Sequence, residues 1–342
     1  GGECSPTLTN LVFSGNQADY GGGMYNDGSG GVSSPSLSNV TFDGNEADAY
    51  GGGMVNYTEN GGMSSPTLSG VTFSGNWANI YGGGMVNQSF GGVSSPTLNN
   101  VVFSGNYANG EGGGMYNQVF DGVSSPTLTN VLFSGNYAGN AGGGMVNQSF
   151  GGVSSPTLTN VTFGGNWAIA GGGMFNFGDM SPVIVNTILW GNTATEGPQV
   201  YNLGDAAPTF SYSLVQGGCP PGATCGDGML DAGPLFVQPI DAISAPTTTG
   251  DYRLQFASPA IDAGNTLSVT VDTDLDGNPR VVNRIVDMGA YEAQNVFTLH
   301  IGAAGQGAVA VDPQRDEYAY GTAVTLTAQA AAGHVFAGWR GD

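Results

Sequence analysis

Along residues 4–206 the apolar and polar positions alternate for only a few residues at a time before a glycine-rich corner intervenes. From Thr67 to Phe73, for instance, Leu68, Val71 and Phe73 share one side while Thr67 and Thr72 take the other. A period of two predicts strands, and no stretch here has helical spacing. Met85 opens a further short strand that Asn87 closes, with Asn76 and the run Gly82–Gly84 marking the corners. Three short strands separated by turns make one coil.

The coil then repeats. Phrases close to "SSPTLTNVTFGGN" begin at Ser33, Ser64, Ser94, Ser124 and Ser154, a period of about 30 residues. Stacked copies place Leu8, Leu37, Leu68, Leu98, Leu128 and Leu158 in one column and Phe13, Phe42, Phe73, Phe103, Phe133 and Phe163 in a second. Met24, Met54, Met85, Met115, Met145 and Met174 form a third, and the three columns are the expected core. Asn also recurs, at 16, 45, 76, 106, 136 and 166 and again at 26, 56, 87, 117, 147 and 176. An amide stacked on an identical amide at the strand spacing of ~4.8 Å donates to one neighbour and accepts from the other. The fold this predicts is all-β, a right-handed parallel β-helix in which each coil touches only its neighbours.

The coils, as in "SPTLTNVLFSGN" followed by "GGGMVN", resemble the β-helix repeats of bacterial polymorphic outer membrane proteins and of secreted choice-of-anchor Q proteins. That resemblance covers residues 4 to about 206, with "SPVIVNTILWGNTA" as a diverged last coil. After Asp205 the phrase stops. The stretch from Ala232 to Glu292 is similar to the segment that closes choice-of-anchor Q proteins, although Gly233 stands where that pattern has Asp. "FTLHIGAAGQGAVAVDPQ" through "GHVFAGWRGD" resembles an internalin-B-type repeat of bacterial cell surfaces, without the strands that usually follow. The expected division is therefore 1–206 β-helix, 207–294 closing cap and 295–342 an incomplete β module. The resemblance implies a bacterial cell-surface protein.

Composition narrows the partners. The chain has 342 residues, 61 of them Gly, and is 40% hydrophobic, so it has material for a core. Its formal charge is −21. Nucleic acid and anionic membrane surfaces, which need Lys and Arg, are poor partners for it. No apolar run approaches a membrane span of ~20 residues, so none is expected. Cys219 and Cys225 bracket "PPGAT", a loop short enough for a local disulfide, which implies an oxidising, extracellular compartment. Cys4 occupies a slot held by Ser in later coils.

Few residues offer chemistry. Asp272, Asp274 and Asp276 alternate ahead of Gly277 like the first half of a calcium loop, but position 12 is Asn283 instead of a bidentate Glu. Calcium is thus a candidate cofactor; pairing with Arg280 or Arg284, together with backbone hydrogen bonds, is the alternative. Polysaccharide-degrading β-helices need clustered carboxylates with calcium or a cationic base. Residues 1–252 contain no Lys, Arg or His, and Asp43, Glu46, Asp48, Glu59, Glu111 and Asp121 are scattered, so no catalytic residue is expected. His300 and His334 lie in the terminal module with no nucleophile nearby in sequence.

Trp77, Tyr107, Tyr137 and Trp167 climb one edge and should face outward, either to grip a glycan or protein or to stack on one another. Phe90, Phe120 and Phe150 pose the same choice. Outward hydroxyls beside Leu8, Leu128 and Leu158 hint at an ice-binding array, which Ser36, Ser38, Ser69 and Asn99 interrupt. The closing "RGD" matches an integrin-binding tripeptide within an ordinary turn of the module. The expectation is a non-catalytic structural or adhesive surface protein that associates with copies of itself, end to end or by strand exchange, into filaments. A polysaccharide-binding or polysaccharide-degrading protein is the alternative. Open ends completed within a longer chain are the alternative to self-association.

Overall fold

A computed structural model describes residues 2–294, 296–315, 318–319 and 322–340. The chain divides into two units, Gly1–Ala293 and Gln294–Asp342. Among the described residues there is no α-helix, and none long and apolar enough to cross a membrane.

The first unit is a parallel β-solenoid. A representative coil runs Thr97–Ser104 along the first face, Tyr107–Ala108 along the second and Met115–Phe120 along the third. The third face stacks seven strands in parallel. Its strands run past the Asn at which the sequence pattern predicts an end, because Ser89 points inward and Phe90 outward in the same alternation. Asn100 bends the first face in mid-strand with φ of 54°, and Asn10, Asn39, Asn130, Asn160 and Asn186 do likewise in their coils. Asn tolerates this left-handed conformation, and Gly70, with φ of 64°, fills the same slot.

Register follows the side chains. Leu98 lies opposite Leu68 and Leu128, Phe103 opposite Phe73 and Phe133, and Met115 opposite Met85 and Met145. The Phe rings from Phe13 to Phe163 stack with centroids 4.7–5.0 Å apart. From Phe42 to Phe163 these rings are fully buried, and each contributes about 1.5–3 kcal/mol by leaving water. The triple glycine is set by this packing: a Cβ on Gly84 would sit 2.5 Å from the Gly114 carbonyl and 2.9 Å from the Phe103 ring.

The Asn columns turn corners without unpaired groups. Asn106 Nδ2 donates to Asn136 Oδ1 at 2.9 Å and to the Phe73 carbonyl at 3.0 Å. Its Oδ1 accepts from the Asn76 backbone N–H and side-chain amide. Both donors and both acceptor sites of the amide are thus filled. The second column links Asn26 through Asn176 to Asn202. A serine column supports them, each hydroxyl from Ser34 to Ser125 accepting the backbone N–H of its counterpart in the next coil.

Beyond Asp205 the phrase ends but the coils do not. Thr209–Ser211 pairs with Val183–Val185, Thr224–Cys225 with Thr209 and Phe210, and Leu230 with Leu214. Residues 236–292 then fold back as a strap along the flank of the solenoid, where a cap over the last coil was expected. The outward column Val102, Leu132, Thr162, Ile188 and Leu214 is largely apolar and needs cover. Phe236, Tyr252, Ala260 and Met288 supply it. Hydrogen bonds tie the strap down: Thr247 N–H to the Gly135 carbonyl at 3.0 Å, Asn130 Nδ2 to the Thr273 carbonyl at 2.6 Å, and Ala290 N–H to Thr162 Oγ1 at 3.0 Å. The end of the core is closed instead by Ala223, Cys225 and Met229.

The second unit contains two antiparallel pairs, Val296–Phe297 with Tyr318–Ala319 and Gly307–Asp312 with Thr325–Ala330.

Candidate functional surfaces

The edge aromatics form a ladder. Ring centroids of Trp77 and Tyr107 lie 6.2 Å apart, Tyr107 and Tyr137 4.9 Å, and Tyr137 and Trp167 4.7 Å, with planes within 7° of parallel. Glu46 and Thr193 bound it on the neighbouring rungs. Stacking along the axis covers the faces of Tyr107 and Tyr137 and leaves edges outward. A sugar ring that packs on an aromatic needs a free face, so this arrangement suits covering an edge better than gripping a glycan. Phe90, Phe120 and Phe150 stack in the same way, with centroids 4.9 and 4.8 Å apart.

A polar strip beside that Phe column was not foreseen from the sequence. Gln88 donates to Gln118 Oε1 at 2.6 Å, Gln118 to the Tyr116 hydroxyl at 2.6 Å, and that hydroxyl to Gln148 Oε1 at 2.8 Å. Gln148 Nε2 reaches Glu111 Oε2 at 2.6 Å, and Asn140 donates to Oε1 at 3.1 Å. Burial raises the Glu111 carboxyl above its ordinary pKa, and the two amide hydrogen bonds oppose the shift. The recurrence "NQS", "NQV", "NQS" places Gln88, Gln118 and Gln148 in one column and was a readable signal. The alignment of Tyr81 on Tyr116, 4.5 Å apart, was not, because these residues occupy different positions of the repeat.

The three acids of "DTDLDG" have separate roles. Asp274 is buried, and its carboxylate accepts backbone N–H bonds from Asp276, Asn278 and Glu292. Three of its roughly four lone-pair directions are thereby filled, two from within the loop and one from Glu292. The Asp272 backbone carbonyl accepts from Arg280 N–H, and Asp276 lies 3.9 Å from Arg253. Among the described residues, no three His, Cys, Asp or Glu side chains are placed to hold a metal ion. This geometry fits a braced turn better than a calcium loop.

The Arg280 side chain does not pair with the carboxylates of that triplet. It is fully buried and donates Nη2 to the carbonyls of Asp287 and Gly289 at 2.7 and 2.8 Å, with Glu292 at 4.0 Å. Asp287 accepts from the Asp262 and Ala293 N–H groups, and Glu292 from those of Val282 and Asp287. Burial raises both carboxyls above the usual carboxylate range.

Cys219 and Cys225 form a disulfide with Cα atoms 6.0 Å apart, and Cys4 is free and exposed. Thr97, Thr127 and Thr157 align in register beside Thr67, but Thr129 in the adjoining rank is buried, which breaks the hydroxyl array further. Of the terminal tripeptide, Gly341 and Asp342 lie outside the described residues.

No curated protein matches the chain. Residues 297–342 match the sequence profile of the divergent InlB B-repeat domain, which lies within the second unit. A repeat β-solenoid joined to an InlB B-repeat-like domain has the make-up of a surface or structural protein.

Proposed function

We propose that the chain is a non-catalytic extracellular structural protein at a bacterial cell surface, whose stiff solenoid serves to space or to adhere. The observation that carries this reading is the continuity of the core and amide columns from Asn16 to Asn202, with side-chain hydrogen bonds linking each coil to the next. Such a stack resists bending because every rung must move with its neighbours. The resemblance of the coils to surface-protein repeats, the B-repeat-like module and the Cys219–Cys225 disulfide all support an extracellular setting. Self-association into filaments belongs to this reading. It proceeds end to end or by strand exchange.

The second reading is a glycan binder centred on half-buried Glu111, whose carboxylate accepts from Gln148 and Asn140; the amides of Gln88, Gln118 and Gln148 are buried and bonded within the strip, so they brace that carboxylate instead of meeting a sugar. A glycan array with an activity screen on acidic polysaccharides separates the two. The structural reading expects neither binding nor turnover, and it fails if turnover is found. Binding that Glu111→Gln abolishes, without loss of stability, would transfer the assignment to the second reading. Electron microscopy tests the filament half, for which dispersed monomers are the contrary result.

A further inference from the structure

The last rungs of the solenoid differ from the rest. In the first sheet only Thr224–Cys225 follows Thr209–Ser211, with Phe210 opposite Cys225. Cys225 thereby takes the inward place that Leu158, Ile184 and Phe210 hold on the preceding rungs. Both amide columns stop at the same end. Asn202 donates to the Pro221 carbonyl at 2.8 Å, and Asn192 donates to Gln199 Oε1 at 2.7 Å, with Gln199 passing on to Gln216 at 3.1 Å.

The loop that makes this closure is poorly suited to hold it unaided. Residues 216–226, "QGGCPPGATCG", are rich in Gly and Pro, and glycine gains much freedom when a loop opens. Its backbone bonds to the preceding rung are Gln216 N–H to the Leu189 carbonyl at 3.1 Å, Thr224 N–H to the Pro208 carbonyl at 2.9 Å and Gly226 N–H to the Phe210 carbonyl at 2.8 Å. Beside the loop lies an open cleft of about 440 Å³ lined by Gln199, Val200, Gln216 and Cys219, so solvent reaches one side of it. A crosslink restricts the opened state of such a loop and thereby favours the closed one.

We propose that the Cys219–Cys225 disulfide is a redox latch on the end of the solenoid. A dithiol reductant delivers two electrons and two protons; the S–S bond breaks, two cysteine thiols form, and the dithiol becomes a cyclic disulfide. The released loop then frees the edge of Thr209–Ser211, Phe210 loses its cover, and the Asn202 amide loses its acceptor. An unpaired strand edge over an apolar core is a surface that recruits other strands. The latch thus keeps the end closed in an oxidising compartment and opens it in a reducing one.

Hydrogen exchange of the full chain, carrying Cys4→Ser to remove the free thiol, tests this. Dithiothreitol is expected to speed exchange at the Thr224 and Gly226 amides at least about tenfold, while Met115 and Tyr107 in the middle coils keep their protection. The variant Cys219→Ser with Cys225→Ser should reproduce the change without reductant. Complete reduction, verified by thiol labelling after denaturation, with unchanged exchange at Thr224 and Gly226 would overturn the proposal. Equal acceleration in the middle coils would overturn it too, because the bond would then be a general brace.

Discussion

Asn106 and Asn136 are joined twice: the side-chain amide of Asn106 and its backbone N–H both donate to Asn136 Oδ1, at 2.9 and 3.0 Å. The same double bond links Asn76 to Asn106 and Asn136 to Asn166. One oxygen therefore holds a corner of the preceding coil in register, and removing it affects two coils at once.

Asn106→Ala should accordingly destabilise the solenoid by about 3 kcal/mol or more, since it strands the Asn76 donors, the Phe73 carbonyl and one Asn136 acceptor site in the interior. Asn106→Asp should cost at least as much at neutral pH and less in acid, where a protonated carboxyl can donate again. Denaturant unfolding at two pH values measures both. Equal stability of Asn106→Ala and the parent would mean that the column follows the stack instead of holding it.

Gly84→Ala places a methyl 2.5 Å from the Gly114 carbonyl, which is backbone and cannot rotate away. A loss of about 1–3 kcal/mol is expected, as for other overpacked cores. Gly75→Ala at an exposed corner has free space around the new Cβ, so its cost comes only from the left-handed φ of 59°. The difference between the two melting temperatures isolates coil-to-coil contact from backbone preference.

The strap should be more stable in mild acid than at neutral pH. Burial raises Asp287 and Glu292 in the folded chain above their unfolded values, so folding takes up protons. That contribution is complete below the ordinary carboxylate range and is lost as pH rises through the raised folded values. Glu292→Gln should flatten the dependence. The readout is exchange at the Gly289 and Ala290 amides, which bond the strap to Asn186 and Thr162. Strap protection that rises with pH would contradict the assignment.

Chelation should leave the melting temperature unchanged. Asp274 already accepts three backbone N–H bonds, so its substitution by Ala should destabilise the turn equally with and without calcium. A melting temperature that falls on chelation, with Asp274→Ala removing the sensitivity, would restore the calcium loop through native-state linkage.

Periodicity alone determined the coil, its three core columns and its two amide columns. A parallel stack maps each residue onto its counterpart about 30 positions away, so repetition in sequence is register in space. Leu98 against Leu128 and Asn106 against Asn136 were legible for that reason. The left-handed Asn100 column was present in the phrase but unread, since Asn at a bend and Asn in a ladder are spelled alike. What only the tertiary structure decided lies where counterparts have different spacing. Tyr252 against Gly164 and Asn265 against Asn186 join segments that no repeat relates, and Glu111 against Gln148 joins different positions of neighbouring repeats. The strap illustrates the reason: the outward column from Val102 to Leu214 is largely apolar, and which segment would cover it depended on how the chain returned in three dimensions.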